Sequence, residues 1–315
     1  MTYGTRISGL GDYRPSTIIS NEDMAKLVET SDEWIRTRVG IANRRKAGAD
    51  ETVVTMATAA GAKAIADAGI DPTEIDLVLV ATCSLLATMP HAAPRVAVAL
   101  GIPSPGAVDI NAACAGFCYA LSFAADAVRG GTARNVLVIG AEKLTDITNW
   151  EDRNTCILFG DGAGAALVSR SADGSEGIGP VVMGSAGELS EFITMNDKLQ
   201  MVMEGQSVYR WATGVLPTVV REILDRTGID AANLDALVLH QANLRIIDSV
   251  ARSLHLPESV AIGRDIVESG NTSAASIPLA LTTLRETGEV TSGDRMLLLG
   301  FGGGLSYAGQ VITCP

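Results

Sequence analysis

The chain is poor in aromatic side chains, which make up 4% of its 315 residues, and it carries only 3 histidines. With no Cys-x-x-Cys pair and no His-Glu-x-x-His run, three imidazoles leave little material for a metal site. Basic charge is scarce too: 24 lysines and arginines face 36 aspartates and glutamates, a net charge of −12 with no long basic stripe. That argues against nucleic acid as a partner, and an acidic protein partner would need a local basic patch. No apolar run approaches the roughly 20 residues that cross a bilayer, and Met1–Arg6 lacks an apolar signal-like core. The five cysteines (Cys83, Cys114, Cys118, Cys156 and Cys314) are odd in number and irregularly spaced. They read as reduced thiols in a cytoplasmic protein, not as a disulfide framework.

What is abundant is small and apolar: 47% hydrophobic residues and 33 glycines. That composition suits an α/β protein with closely packed helices. The chain also looks written twice. Gly69–Val80 (GIDPTEIDLVLV) returns as Gly228–Leu239 (GIDAANLDALVL), each after a helix-like segment closed by glycine and each running into a short buried strand. Asp109-Ile110 leads into Cys114 as Asp265-Ile266 leads into Asn271, and Asn135–Gly140 (NVLVIG) returns as Arg295–Gly300 (RMLLLG). The offsets are all about 160 positions, which predicts two similar halves, 1–170 and 171–315, each a sheet with helices. Helical stretches such as Glu51–Ala68 and Gly214–Thr227 alternate with the strands.

Three stretches look built to meet across such halves: Asn111–Phe117 (NAACAGF), His240–Asn243 (HQAN) and Gly270–Ser276 (GNTSAAS). Cys114 opens the helical run Ala115–Val128, where backbone N–H groups and the helix dipole favour a thiolate, so a depressed thiol pKa is expected. The other cysteines read as core packing. His240 ends an apolar run; the alternative to a catalytic imidazole is a satisfied polar group at a strand end. Asn271, between Gly270 and a Thr-Ser run, is either an amide donor or an N-cap. Phe301–Ser306 (FGGGLS) is either a tight turn or a presenter of backbone N–H to an oxyanion. A thiolate, an imidazole and an amide suffice for acyl transfer through a thioester followed by thioester-enolate chemistry.

With these residues assembled, the sequence resembles the β-ketoacyl-acyl-carrier-protein (ACP) synthase III family of the thiolase superfamily over essentially its whole length. The likeness rests on Thr30–Ile41 (TSDEWIRTRVGI), Ala113–Phe117, Phe159–Gly164 (FGDGAG), His240–Asn243, Gly270–Ser276 and Phe301–Gly304, all in order. The resemblance implies a five-layered αβαβα thiolase-like fold from two duplicated halves, a homodimer, and no cofactor beyond acyl-CoA as substrate. It implies that Cys114 takes an acyl group from acyl-CoA, and that malonyl-ACP then loses CO₂ and its carbanion attacks the acyl-enzyme, initiating fatty acid synthesis. His240 and Asn271 would donate to the malonyl thioester oxygen, the N–H groups of Cys114 and Gly303 would form the oxyanion hole, and Phe301 would exclude water.

The same resemblance makes Trp34 and Arg153 the pair that sandwiches the CoA adenine and Arg38 a CoA phosphate contact. Thr30, Gly205 and Asn243 would touch the nucleotide or the pantetheine arm. Arg210, Arg245 and Arg252 would meet the acidic ACP, with Ser253 replacing a lysine of some relatives. Met89 falls where relatives carry a residue that crosses the dimer interface to floor the partner's acyl pocket; an adaptable Met suggests primers longer than acetyl. A starter-unit ketosynthase or acyltransferase of polyketide biosynthesis is the nearest rival. A hydroxymethylglutaryl-CoA-synthase-like enzyme would want a carboxylic acid base near the cysteine, a cysteine hydrolase would use His as a base for water, and a non-catalytic subunit would lack the nucleophile.

Overall fold

The computed structural model describes residues 3–87 and 89–315. Its first sheet holds β1 (Thr5–Tyr13), β2 (Leu77–Ala81), β3 (Gly106–Ile110), β4 (Asn135–Lys143) and β5 (Asp161–Arg170), in the order β1-β5-β4-β2-β3. The second holds β6 (Val182–Ser185), β7 (Ala236–Leu239), β8 (Ala261–Ile262), β9 (Arg295–Gly302) and β10 (Ser306–Thr313), in the order β6-β10-β9-β7-β8. Strand for strand the two orders are the same. So are the directions: in each sheet the three strands at one side run parallel and the other pairings are antiparallel.

The period of two along each strand sorts side chains into layers. Val78 and Val80 of β2 and Leu137 and Ile139 of β4 face the helices Val53–Ala68 and Ala92–Ala99. Leu79 of β2 and Val136 and Val138 of β4 face the other way, into a central layer. In the second sheet Leu237, Leu239, Leu297 and Leu299 face the helices Gly205–Thr227 and Leu244–Ser253, while Ala236, Val238 and Leu298 turn to the same central layer. That layer consists of the helices Gly116–Arg129 and Ser276–Glu286, with Phe117, Leu121, Ile277 and Leu281 buried in it. Each such side chain contributes about 1.5–3 kcal/mol by leaving water. The resulting stack is the five-layered αβαβα arrangement of a thiolase-like fold.

The repeated sequence has a physical cause at each shared residue. Gly69 (φ 67°) and Gly228 (φ 65°) both end a helix in the left-handed conformation that disfavours other residues. Asp71 and Asp230 both cap a 3₁₀ turn, each accepting an N–H two residues on at 2.9 Å. Asp76 and Asp235 both accept the backbone N–H that begins the neighbouring parallel strand, at Arg134 and Asn135 in one case and at Arg295 in the other.

Two sequence readings are corrected. The helix expected over Gly214–Thr227 begins at Gly205: Val208, Ala212 and Leu216 continue its buried stripe, and their packing outweighs the ~1 kcal/mol that a mid-helix glycine costs. The match of Asp109 with Asp265 does not hold. Asp109 lies in β3 and accepts the N–H groups of Ala92 and Ala93, whereas Asp265 precedes a one-turn helix, Ile266–Ser269, and pairs with Arg14. The register that matches in space is Asn111 with Asn271.

Candidate active site

Each central helix is preceded by a 3₁₀ turn, Ala113–Ala115 before Gly116–Arg129 and Ser273–Ala275 before Ser276–Glu286. Ala113 (φ 45°) and Ser273 (φ 46°) both sit in the left-handed region. Asn111 and Asn271 each accept the N–H two residues on, at 3.2 and 2.9 Å. Cys114 therefore occupies one of two equivalent turns, one turn ahead of the helix instead of at its first residue, and Ala274 takes its place in the other. The two turns pack against each other in the central layer.

Glycines make that approach possible. A Cβ on Gly302, at the end of β9, would lie 2.7 Å from the Cys114 Cβ and 2.9 Å from its Sγ. Gly300 faces the backbone of Cys114 and Ala115, and reciprocally Gly140 of β4 faces the carbonyl of Ala274. Gly303 opens a 3₁₀ turn against Ala113.

His240 follows β7 and is buried. Its Nδ1 meets the Ser276 hydroxyl at 2.7 Å, and that oxygen also accepts the Gln241 N–H at 3.2 Å. With its oxygen so engaged, the hydroxyl proton can be given to Nδ1, which leaves the ring proton on Nε2. Phe301 packs edge-on to the imidazole, centroids 5.2 Å apart. Burial pushes the His240 pKa down to about 3, so the ring is neutral at physiological pH.

The expectation of a depressed thiol pKa at Cys114 is overturned: burial pushes it up to about 12, and the nearby Glu142 carboxylate adds to the rise. The Ser273 hydroxyl and the N–H groups of Cys114 and Gly303 pull the other way without overcoming desolvation. Cys118, Cys156 and Cys314 are buried as core packing, but Cys83 is only partly so. It lies at the site, its thiol 3.3 Å from Glu142 Oε1 and 3.5 Å from the Ser273 hydroxyl.

A cavity of about 690 Å³ reaches from the surface to Asn271. Trp34, Arg38, Gly205 and Asn243 line it, and so do Arg210 and Arg245. Trp34 lies in the helix Asp32–Val39, capped by Ser31, and Arg153 stacks on its ring at 4.9 Å. Arg153 also donates to the Glu29 carbonyl beside Thr30, whose buried hydroxyl has no hydrogen-bond partner among the described residues. Asn243 caps the helix Leu244–Ser253. Arg245 stacks on Tyr209 at 5.0 Å. Arg252 is exposed on the same helix but does not line the cavity. Met89 lies apart from it, 84% exposed. Sequence reasoning missed Ser273, Ser276, Glu142 and Tyr209. The first two were within reach, since they fall in the turn that mirrors Asn111–Gly116.

Fold and site together define an acyltransferase of the thiolase-like condensing type. Residues 108–187 match the family described as 3-oxoacyl-[acyl-carrier-protein (ACP)] synthase III, and residues 224–314 match its C-terminal part. A Streptomyces coelicolor relative named β-ketoacyl-[acyl-carrier-protein] synthase III 4 is 53% identical over 317 residues, covering 100% of both chains. The solved priming β-ketosynthase of the R1128 polyketide pathway is 43% identical with a TM-score of 0.97, covering 100% of this chain and 97% of its own. The 3-oxoacyl-[acyl-carrier-protein] synthase III of Aquifex aeolicus is 41% identical with a TM-score of 0.93, covering 98% and 100%. The chain belongs to the β-ketoacyl-ACP synthase III family.

Proposed function

We propose that the chain joins an acyl-CoA primer to malonyl-ACP by decarboxylative Claisen condensation, releasing CoA and CO₂ and initiating fatty acid synthesis. The observation that carries this is a cavity lined by Trp34, Arg38, Gly205 and Asn243 together with the buried Asn271. Cys114 Sγ attacks the primer thioester while the N–H groups of Cys114 and Gly303 receive the oxyanion, and CoA leaves as the thiol, taking the proton that Cys114 gives up. Malonyl-ACP then enters. His240 Nε2–H and the Asn271 amide donate to its thioester oxygen as the bond to CO₂ breaks, and the carbanion attacks the acyl-enzyme to expel the Cys114 thiolate. Phe301 shields the imidazole from water. A neutral His240 suits a donor better than an imidazolium would, since no proton is lost as the enolate collapses.

Trp34, Arg153, Arg38 and Thr30 fit an adenine and phosphate grip, the buried Thr30 hydroxyl having no hydrogen-bond partner among the described residues. Arg210, Arg245 and Arg252 form the local basic patch that an acidic ACP needs against a net charge of −12. Such a reaction calls on no cofactor. The identical strand orders support division into halves 1–170 and 171–315, the first carrying Cys114 and the second His240 and Asn271. A homodimer through β3 is supported by that strand's place at the sheet edge, unpaired on one side among the described residues, with Val108 49% and Phe123 45% exposed, and by the exposure of Met89, which would then floor the partner's acyl pocket. The five free thiols favour a cytoplasmic setting. The second reading, priming of a polyketide pathway, rests on the likeness to the R1128 enzyme.

The test is incubation with acetyl-, isobutyryl- and isovaleryl-CoA and malonyl-ACP, scoring acyl-enzyme mass, β-ketoacyl-ACP and CO₂. Cys114→Ser is expected to abolish acyl-enzyme and product. Asn271→Ala should still acylate but fail to decarboxylate. Normal condensation by Cys114→Ser would overturn the assignment, and exclusive labelling by acetyl-CoA would overturn the longer primer range inferred from Met89.

A further inference from the structure

Glu142, at the end of β4, is a fully buried carboxyl group that the proposed reaction does not use. Its oxygens take the N–H groups of Cys83 (3.1 Å), Ser84 (3.1 Å) and Ala274 (3.4 Å). They also take the hydroxyls of Thr82 (3.1 Å) and Ser84 and the Cys83 thiol (3.3 Å). Six donors around two oxygens favour the ionised form, against burial, which pushes the Glu142 pKa up. A buried charge is tolerated only when so paired.

Its position has a counterpart. Along matching strands Glu142 corresponds to Gly302, as Gly140 does to Gly300, and in the matching turns Ala274 corresponds to Cys114. At the first turn a glycine stands back and the cysteine side chain fills the space. At the second the turn residue is a bare alanine, and Glu142 fills the space from the strand. We propose that Glu142 is a positioning residue: its carboxylate occupies the empty nucleophile seat of the second half and clamps the Ser273–Ala274 turn to Thr82–Ser84, holding Asn271 and the Ser273 hydroxyl at Cys114. The reaction it serves rests on the function proposed above.

The groups facing Cys114 here are Cys83 from the loop after β2, Glu142 from β4 and Ser273 from the opposite turn. Two of them act on the thiol with opposite sign: the Glu142 charge raises its pKa and the Ser273 hydroxyl lowers it. Cys114 alkylation by iodoacetamide, localised by peptide mass spectrometry at fixed pH, reads both without any acyl-CoA. Glu142→Gln should speed it severalfold, because losing the charge lowers the thiol pKa and raises the thiolate fraction by more than nucleophilicity drops. Ser273→Ala should slow it. Glu142→Gln should also lower condensation at least tenfold while acyl-enzyme still forms, and Glu142→Asp should recover part of that loss. Equal alkylation shifts in the two variants, or wild-type condensation by Glu142→Gln, would overturn the proposal. If Glu142→Gln does not fold, Ser273→Ala decides: unchanged alkylation sinks the clamp. A wild-type protein that alkylates as expected but takes no acyl group from acyl-CoA would count against the proposed function and not against the clamp.

Discussion

The contact between Gly302 and Cys114 allows the placement of the proposed nucleophile to be tested without altering any polar group. A Cβ built on Gly302 lies 2.7 Å from the Cys114 Cβ, 2.9 Å from Sγ and 3.2 Å from the Cys114 backbone nitrogen. Carbon atoms pack best at about 3.5–4.0 Å, so Gly302→Ala demands a retreat of roughly 1 Å. Turning the Cys114 side chain does not relieve it, because the nitrogen is crowded as well and Gly300 holds the Cys114 and Ala115 backbone from the same strand. Overpacking of this kind costs about 1–3 kcal/mol in stability. A displacement of about 1 Å at a reacting atom costs on the order of a hundredfold in rate. Stopped acylation by acyl-CoA, read by intact mass, should therefore slow about a hundredfold, with a lowered Tm and unchanged acyl-CoA binding. Wild-type acylation and Tm would refute the geometry.

Gly205 provides the contrast: a Cβ there meets only Met203 Cε at 3.9 Å, so Gly205→Ala should hold or raise Tm, yet raise KM for acyl-CoA by narrowing the cavity wall; an unchanged KM removes Gly205 from the binding path. His240 predicts an acid-labile fold. Its pKa falls from 6.5 to about 3 on folding, so below pH 6.5 the unfolded state takes up a proton that the folded state refuses. Stability from the neutral ring is present above pH 6.5 and drains away toward pH 3, on the order of 5 kcal/mol in all. Urea unfolding of wild type and His240→Asn should give curves that converge as pH drops through that window, and parallel curves would contradict it. Arg252→Glu should raise KM for malonyl-ACP about fivefold, on the order of 1 kcal/mol and weaker in high salt, with acyl-CoA kinetics intact. Arg245→Glu should raise both, because Arg245 also lines the cavity.

Much of this could be read from the chain because backbone geometry constrains particular residues. The Gly69 and Gly228 caps, the Asp71 and Asp230 turns and the alternating β2 and β7 strands are each required by local conformation, so a duplicated architecture leaves a visible duplicated sequence. The positions of Cys114, His240 and Asn271 beside element ends were legible for a related reason: His240 follows β7, and Cys114 and Asn271 lie at the 3₁₀ turns that precede the central helices. The thiol's acidity was not legible. A helix start predicts a lowered pKa, but desolvation in the central layer is a property of the assembled stack, and it reversed the sign. Cys83 was misread as packing for the same reason: what surrounds it comes from β4 and from a turn some 190 residues away. The Asp109–Asp265 match failed because identical dipeptides were matched by sequence distance, whereas the conformational constraint lies at Asn111 and Asn271, which accept the N–H two residues on.

Two similar turns meeting in one layer would, with equal residues, give two equal sites. The chain breaks that equality at few positions. Cys114 opposite Gly302 gives one turn a thiol, while Ala274 opposite Glu142 gives the other a methyl group beside a buried carboxyl. Asn271 and Asn111 hold their own turns in the same way, yet Asn271 is buried at the inner end of the cavity and Asn111 is exposed. Ser276, where the first half has Gly116, gives His240 a partner for Nδ1 that the first turn could not provide. The difference between the two turns is therefore carried by side chains substituted onto a common backbone. The reaction proposed for this chain, which needs a thiol, a neutral imidazole and an amide around one carbonyl, would gain from that arrangement, because His240 follows a strand and Cys114 and Asn271 lie at the turns that precede the central helices.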